Sequence, residues 1–299
     1  MKRGRTSIWT LALVLVSIVD GGGAASADTV GMFAPSAPFA GPVARLDFVS
    51  ALAAHLGAGW TGRAYAKAGD FVAAVKRGEL QYAVVDAPYL AALGVPYRIL
   101  ATAERGGATA APWEVVSSSS ATSLLALRGK TVAIADIGAR GDSFFTEVLL
   151  EGEVGKDFFA QVVPAPDALS ALAAVERGRA DAAFVPSGLE LPSGVRRVVT
   201  LRTISWPVLV ALSGTGDPAV TEAAGSFRGQ VFTRFVAGGG DAVRNLEGRF
   251  ARRIRRAPLL IPDLRESASA LAGGRAFSVP RPDPRTYIVT PPARVSGSR

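Results

Sequence analysis

Residues 71–87 read FVAAVKRGELQYAVVDA and residues 171–187 read ALAAVERGRADAAFVPS, and the two align without gaps one hundred positions apart. Each is an apolar-periodic helix that stops at Arg-Gly, then a short apolar strand, then a loop. Glycine after a last helical turn accepts the left-handed conformation that closes a helix, which marks Gly78 and Gly178 as the stops. A second pair lies upstream. Thr29–Phe33 (TVGMF) and Thr131–Ala135 (TVAIA) are β-type runs, each followed by a loop and then a helical pattern, over residues 42–56 and 142–150. Strands alternating with helices imply mainly parallel sheets with helices on their faces. Two copies imply an α/β chain of two similar, Rossmann-like lobes.

The remaining pattern fits around these marks. Residues 60–65, 97–103, 113–117, 195–201 and 208–212 read as strands, and residues 217–235 and 240–256 as helices. The chain is expected to pass from the first lobe to the second after a loop over residues 104–112, and to return between residues 202 and 207. That divides it into a lobe of residues 28–115 with 205–274, a lobe of residues 116–204, and a Pro/Arg-rich extension over residues 275–299.

Residues 1–27 carry a different signature. Lys2, Arg3 and Arg5 precede an almost wholly apolar run, Ile8 to Val19, and then the small residues Ala25-Ser26-Ala27. These are the three parts of a secretory signal peptide, with cleavage expected after Ala27 and export as the result. The chain has no cysteine, which excludes disulfides, thiolate metal sites and a lipid anchor on cysteine. Its formal charge is +8, yet residues 225–299 hold 14 arginines against five acids, so the basic excess sits in the C-terminal quarter. A basic region of this kind suits nucleic acid, an anionic membrane or a solvated helix face. An exported protein rarely meets nucleic acid, so the solvated face is preferred.

In open parallel sheets ligands bind beyond the carboxyl ends of the strands. The repeat brings four such loops to one cleft: Pro35 to Pro38, Asp86 to Tyr89, Asp136 to Ser143 and Pro186 to Gly188. The candidate ligand-binding residues in them are Ser36, Asp86, Tyr89, Arg140, Asp142, Ser143 and Ser187. Each also has an ordinary reading as a loop or cap residue; Asp142 and Ser143 in particular suit a helix N-terminus. Arg140 is the only basic residue in these loops and precedes a helix, whose free amides favour anions. With Asp86, Asp136 and Asp142 nearby, a zwitterion such as an aminoalkyl phosphonate or an amino acid satisfies both signs, and a small anionic or zwitterionic solute is expected. His55 is the only histidine; without cysteine, a zinc site or a Ser-His-Asp triad has little to build on. His55 therefore reads as structural, with no catalytic or metal site assigned.

The strings GDFVAAVKRGELQYAVVDAPYL, LLALRGKTVAIAD and ALAAVERGRADAAFVPS together resemble the phosphate/phosphonate-type periplasmic substrate-binding proteins of ABC transporters, over about residues 29–215. That resemblance implies the type 2 periplasmic-binding fold, with two lobes joined by two crossover strands and the ligand in the cleft. It implies a periplasmic protein partnered by the membrane permease of an ABC transporter, with neither catalysis nor a cofactor. A monomer that binds no nucleic acid is expected. Family members commonly carry a Ser/Thr-rich run before the second-lobe helix; here Asp136 to Ser143 supplies one hydroxyl, Ser143. An enzyme on the same architecture, or a binding protein serving as a sensory partner, remain the alternatives.

Overall fold

The computed structural model describes residues 28–251, apart from residues 94, 139, 140, 156 and 213–215. In chain order the first half is β1 (Thr29–Phe33), α1 (Pro42–Leu56), β2 (Thr61–Ala64), α2 (Ala68–Lys76), β3 (Tyr82–Val85), the single turn α3 (Ala87–Leu90) and β4 (Arg98–Glu104). Then follow β5 (Ala110–Ser117), a 3₁₀ turn (Leu125–Leu127), β6 (Thr131–Ala135), the short α4 (Gly141–Ser143) running into a π-helical stretch (Phe144–Leu149), β7 (Gln161–Ala165), α5 (Ala168–Glu176), β8 (Ala182–Pro186) and β9 (Arg196–Ser205). The chain continues through β10 (Val208–Ala211), α6 (Pro218–Ser226), β11 (Arg234–Ala237) and α7 (Gly240–Ala251).

The repeat is a structural one. The strands form a six-stranded sheet, ordered β11-β4-β10-β3-β1-β2, and a five-stranded sheet, ordered β7-β6-β8-β5-β9. In the first, β1 lies parallel between β2 and β3; in the second, β6 lies parallel between β7 and β8. Both helices of the repeat close as their sequence requires. The Gly78 N–H donates to Val75 O and the Gly178 N–H to Val175 O, and both glycines are left-handed, at φ 70° and 67°. That conformation carries no steric penalty only when Cβ is absent.

Beyond these parallel triplets the pairing turns antiparallel. β10 runs against β3 and β4, and β5 against β8 and β9. These two strands enter from the other sheet without a crossover helix, which parallel neighbours would need. The outward crossing is a hairpin turn and not the expected nine-residue loop. Arg105 and Ala108 exchange backbone hydrogen bonds of 2.9 and 3.2 Å around Gly106 and Gly107, both at positive φ. Two central residues at positive φ give the turn whose twist suits a two-residue hairpin. β5 belongs to the second sheet over its whole length, so the change of sheet falls at Gly106–Gly107, upstream of residue 115. The return crossing lies alongside: the Trp206 N–H donates to Thr109 O, and the Ala103 N–H to Pro207 O.

The expected helix over residues 217–235 is corrected to α6, a loop and β11. Phe227 leaves helical geometry, at ψ 143°, and a Cβ on Gly229 would lie 2.8 Å from the Phe232 carbonyl oxygen. The chain turns there, burying Phe227, Phe232 and Phe235, and β11 adds to the edge of the first sheet beside β4. The Arg234 guanidinium donates Nε–H and Nη2–H to the two Glu104 carboxylate oxygens at 3.0 Å each, holding that edge. The helix expected over residues 142–150 is likewise the short α4 and the π-helical stretch. Of the helix expected over residues 240–256, the part up to Ala251 is described; the extension over residues 275–299 and the signal segment lie outside the described residues.

Strand residues alternate between clusters, as the two-residue period demands. Ala83 and Val85 of β3, and Val208 and Val210 of β10, join one core, while Val84 and Leu209 join another under α1 and α6. In the second sheet Val132 and Phe184 join that same first core, while Ala133, Ala183 and the apolar face of α5 form a third. The first core is therefore continuous across both sheets, from Phe33 and Phe71 to Trp113 and Phe144. α7 packs against both α3 and the π-helical stretch, adding Val243, Leu246 and Phe250 to it.

Candidate functional site

The loops beyond β1, β3 and β6 meet where the two sheets face each other. Ser36 and Asp86 are buried side by side: the Ser36 N–H donates to Asp86 Oδ2 at 2.7 Å. Asp86 precedes α3 but does not cap it; its carboxylate turns across to the β1 loop instead. It is 0% exposed, and its Oδ1 has no hydrogen-bond partner among the described residues. Burial pushes its pKa up from 3.8 to about 7, against the opposing pull of the Ser36 hydrogen bonds and the Arg45 charge. Tyr89, three residues on, packs edge-on to Phe33 at 4.6 Å, with its hydroxyl 3.4 Å from the Ala68 carbonyl it donates to. Burial pushes that phenol up to about 12.

The second sheet reaches this cluster at three points. Gly138, at φ 84°, lies so close that a Cβ there would stand 2.7 Å from the Ala68 Cβ and 2.8 Å from the Tyr89 ring. The Asp136 Oδ1 accepts the Gly138 N–H at 2.9 Å and shapes this turn. The first N–H of α5, on Ala168, donates to Pro35 O at 3.0 Å. Finally, Arg45 Nη2 donates to Asp167 Oδ2, in an ion pair that joins residues 122 apart in sequence. Arg45 is 4% exposed and Asp167 5%.

Ser187 is half-buried at the end of β8, its N–H donating to Pro112 O at 2.8 Å; the neighbouring Gly188 O accepts from Arg105 Nη2 at 3.3 Å. Ser143 is half-buried and Asp142 exposed, both in α4, and neither caps the π-helical stretch that follows. Arg140 lies outside the described residues. His55 is tied between helices, with Nε2 2.9 Å from Ser226 Oγ and 3.0 Å from Ala223 O.

Arg45 and Asp167 lie outside the four loops that the sequence singles out, though each carries a signal. Arg45, Phe48, Val49, Leu52 and Ala53 are the buried residues of α1, a helical stripe with a cation at its head. A cation in a first helical turn also opposes the helix dipole, so a buried one needs a partner. Asp167 reads locally as an N-cap, and it is one: its Oδ1 accepts the Ser170 N–H at 2.7 Å. Nothing local shows that its second oxygen is held from the other sheet.

These oxygens and nitrogens form a compact polar island in an apolar core. One cation faces two carboxylates, and Arg45 Nε and Asp86 Oδ1, both buried, are unpartnered among the described residues. Buried polar groups are normally satisfied, so such a pair of free donor and acceptor suits a small polar molecule carrying both an acceptor and a donor.

A model of the family described as periplasmic substrate-binding protein of the phosphonate ABC transporter matches residues 44–220, more than half of the chain. Among curated proteins no relative matches. Among solved structures, XAC2383 from Xanthomonas citri bound to ATP is 18% identical, with a TM-score of 0.56 over 75% of this chain and 97% of that one. PhnD1 from Prochlorococcus marinus in complex with methylphosphonate is 13% identical, with a TM-score of 0.58 over 75% and 96% of the two chains. A binding protein component of an ABC phosphonate transporter from Pseudomonas aeruginosa is 13% identical, with a TM-score of 0.57 over 74% and 85%. At these identities the likeness is one of fold.

Proposed function

Since the chain belongs to the family of periplasmic substrate-binding proteins of phosphonate ABC transporters, we propose that it captures a small anionic or zwitterionic solute between its two sheets and delivers it to a membrane permease. Its architecture is that of the type 2 periplasmic-binding fold. The observation that carries the proposal is the buried meeting of Arg45, Asp86 and Asp167 at the carboxyl ends of both sheets. A guanidinium grips an acid with charge-assisted hydrogen bonds, and a carboxylate beside it receives an ammonium or hydroxyl of the same molecule.

Ser36, Tyr89, Arg140, Asp142, Ser143 and Ser187 supply further polar contact on this reading. The crossings near residues 104–117 and 202–207 serve as the hinge by which the lobes part and close. Work in the periplasm follows from the family, and residues 1–27 serve as its cleaved export signal. Among the described residues no helix is long and apolar enough to cross a membrane. The working unit is a monomer without catalytic activity or cofactor.

A thermal-shift panel tests the proposal. A ligand of the folded state stabilises it by RT ln(1 + [L]/Kd), about 4 kcal/mol at a thousandfold excess over Kd. Methylphosphonate, phosphate, an aminoalkyl phosphonate and small amino acids form the acid-bearing set, with a simple alkylamine as control. At least one acid-bearing compound is expected to raise the Tm by roughly 8 °C or more, and the alkylamine to leave it unchanged. A panel in which no acid-bearing compound shifts the transition would remove solute capture.

A further inference from the structure

On the reading that the cleft captures a solute, we infer that Arg45 is where the solute's acid lands and that Asp167 is the built-in acid it has to displace. The two residues come from different sheets' helices, α1 and α5, and their ion pair is nearly sealed from water. Asp167 also stands at the N-terminus of α5, the end of a helix that favours anions. The protein's own carboxylate therefore occupies both of the features an incoming acid would use, the guanidinium and the helix end.

The hold is incomplete in a specific way. Asp167 divides its two oxygens: Oδ1 accepts the Ser170 N–H of its own helix, and only Oδ2 reaches Arg45. Arg45 thus engages through Nη2 while the adjacent Nε–H has no partner among the described residues. Nε and Nη2 together are the edge of a guanidinium that takes an acid through two parallel hydrogen bonds. A solute acid, free of any capping duty, uses both donors, where Asp167 uses one. The unpartnered Asp86 Oδ1, within the influence of the same guanidinium, then accepts from a donor elsewhere on the solute.

Asp167 consequently does two things. It draws the sheets together, in concert with the Ala168 N–H on Pro35 O and the Gly138 contact on Tyr89. It also competes with the solute, so that weak or singly bonding anions fail to displace it and acids that take both donors succeed. Specificity then resides in the difference between one hydrogen bond and two.

The test uses Asp167→Asn in the full chain, because asparagine caps a helix as well as aspartate does and the fold is kept. Binding of methylphosphonate and of an aminoalkyl phosphonate is followed by calorimetry, and the separation of the sheets by spin labels. The chain has no cysteine, so Asp70→Cys and Glu176→Cys, both at exposed positions, label uniquely. Without solute, Asp167→Asn is expected to lengthen the label distance by several ångström. With solute, it is expected to bind the probe that wild type binds about tenfold more tightly or better, the worth of one charged hydrogen bond. A label distance equal to wild type, or a weaker probe affinity, overturns the inference while leaving capture by wild type standing. A lengthened distance in a protein that binds no acid-bearing probe, wild type or variant, removes the capture reading and the solute's claim on Arg45, and leaves Asp167 a structural tie alone.

Discussion

Replacing Arg45 with glutamine is expected to lower the affinity for an acid-bearing solute by about ten- to a hundredfold and to part the two sheets. Each charged hydrogen bond is worth about 1.5–3 kcal/mol; the solute loses two from the same guanidinium edge, while the one it has to displace in the wild type, from Asp167, is lost as well, which leaves a net loss of one. The cost to the protein itself has the same origin. Removing one member of a buried ion pair strands the other, at about 3–5 kcal/mol, and here Asp167 would be left facing an apolar core with Asp86 close by. The molecule has a route of relief, since Asp167 regains water when the sheets separate about the crossings. The penalty should therefore appear chiefly as opening, seen as a larger radius of gyration by small-angle scattering, and only partly as a lower unfolding midpoint. A variant that keeps wild-type affinity and wild-type dimensions would remove Arg45 from the site.

The second large effect is one of pH and belongs to Asp86. Its folded pKa, about 7, lies above the 3.8 of a free aspartate. The folded protein therefore holds this proton more tightly than the unfolded chain does. The associated stability is fully present below pH about 4, declines as the pH rises, and is lost above pH about 7. Two pKa units separate pH 5 from the folded midpoint, so the wild type should lose about 3 kcal/mol from this group between pH 5 and pH 8. Asparagine carries no proton to lose and its oxygen can still accept the Ser36 N–H. Urea unfolding of Asp86→Asn is expected to show that loss abolished, with the other carboxylates unchanged. Parallel pH profiles for variant and wild type would show that Asp86 does not titrate in this range.

Much of this fold was readable because its signals are local. Each half states its own helix, its Arg-Gly stop and its strand within about twenty contiguous residues, and Gly78 and Gly178 close their helices by the same left-handed geometry. The strands of the parallel triplets could be read for the same reason. What escaped depends on distant partners. The antiparallel entry of β5 and β10 follows from the crossings between sheets. β11 exists because Glu104 and the β4 edge receive it, and its four residues alone resemble the end of a helix. Of the buried cluster, Ser36, Asp86 and Tyr89 are reached by asking what stands at the carboxyl end of a strand, a question of order along the chain. Arg45 is not, since it sits inside a helix, and the loop rule looks elsewhere. A charged residue at the head of an otherwise apolar helical stripe was the available clue. Its partner Asp167 already had a sufficient local duty as a cap, which concealed the second one.

A crystal structure of the wild-type protein grown with an aminoalkyl phosphonate at saturating concentration tests solute capture between the sheets most directly. The expected result places the acid on Arg45 Nε and Nη2, the ammonium against Asp86 Oδ1, and the Asp167 side chain turned away from Arg45 while still capping α5. Density for the compound elsewhere on the protein, with the Arg45–Asp167 pair intact and the space between the sheets closed by side chains alone, would contradict it.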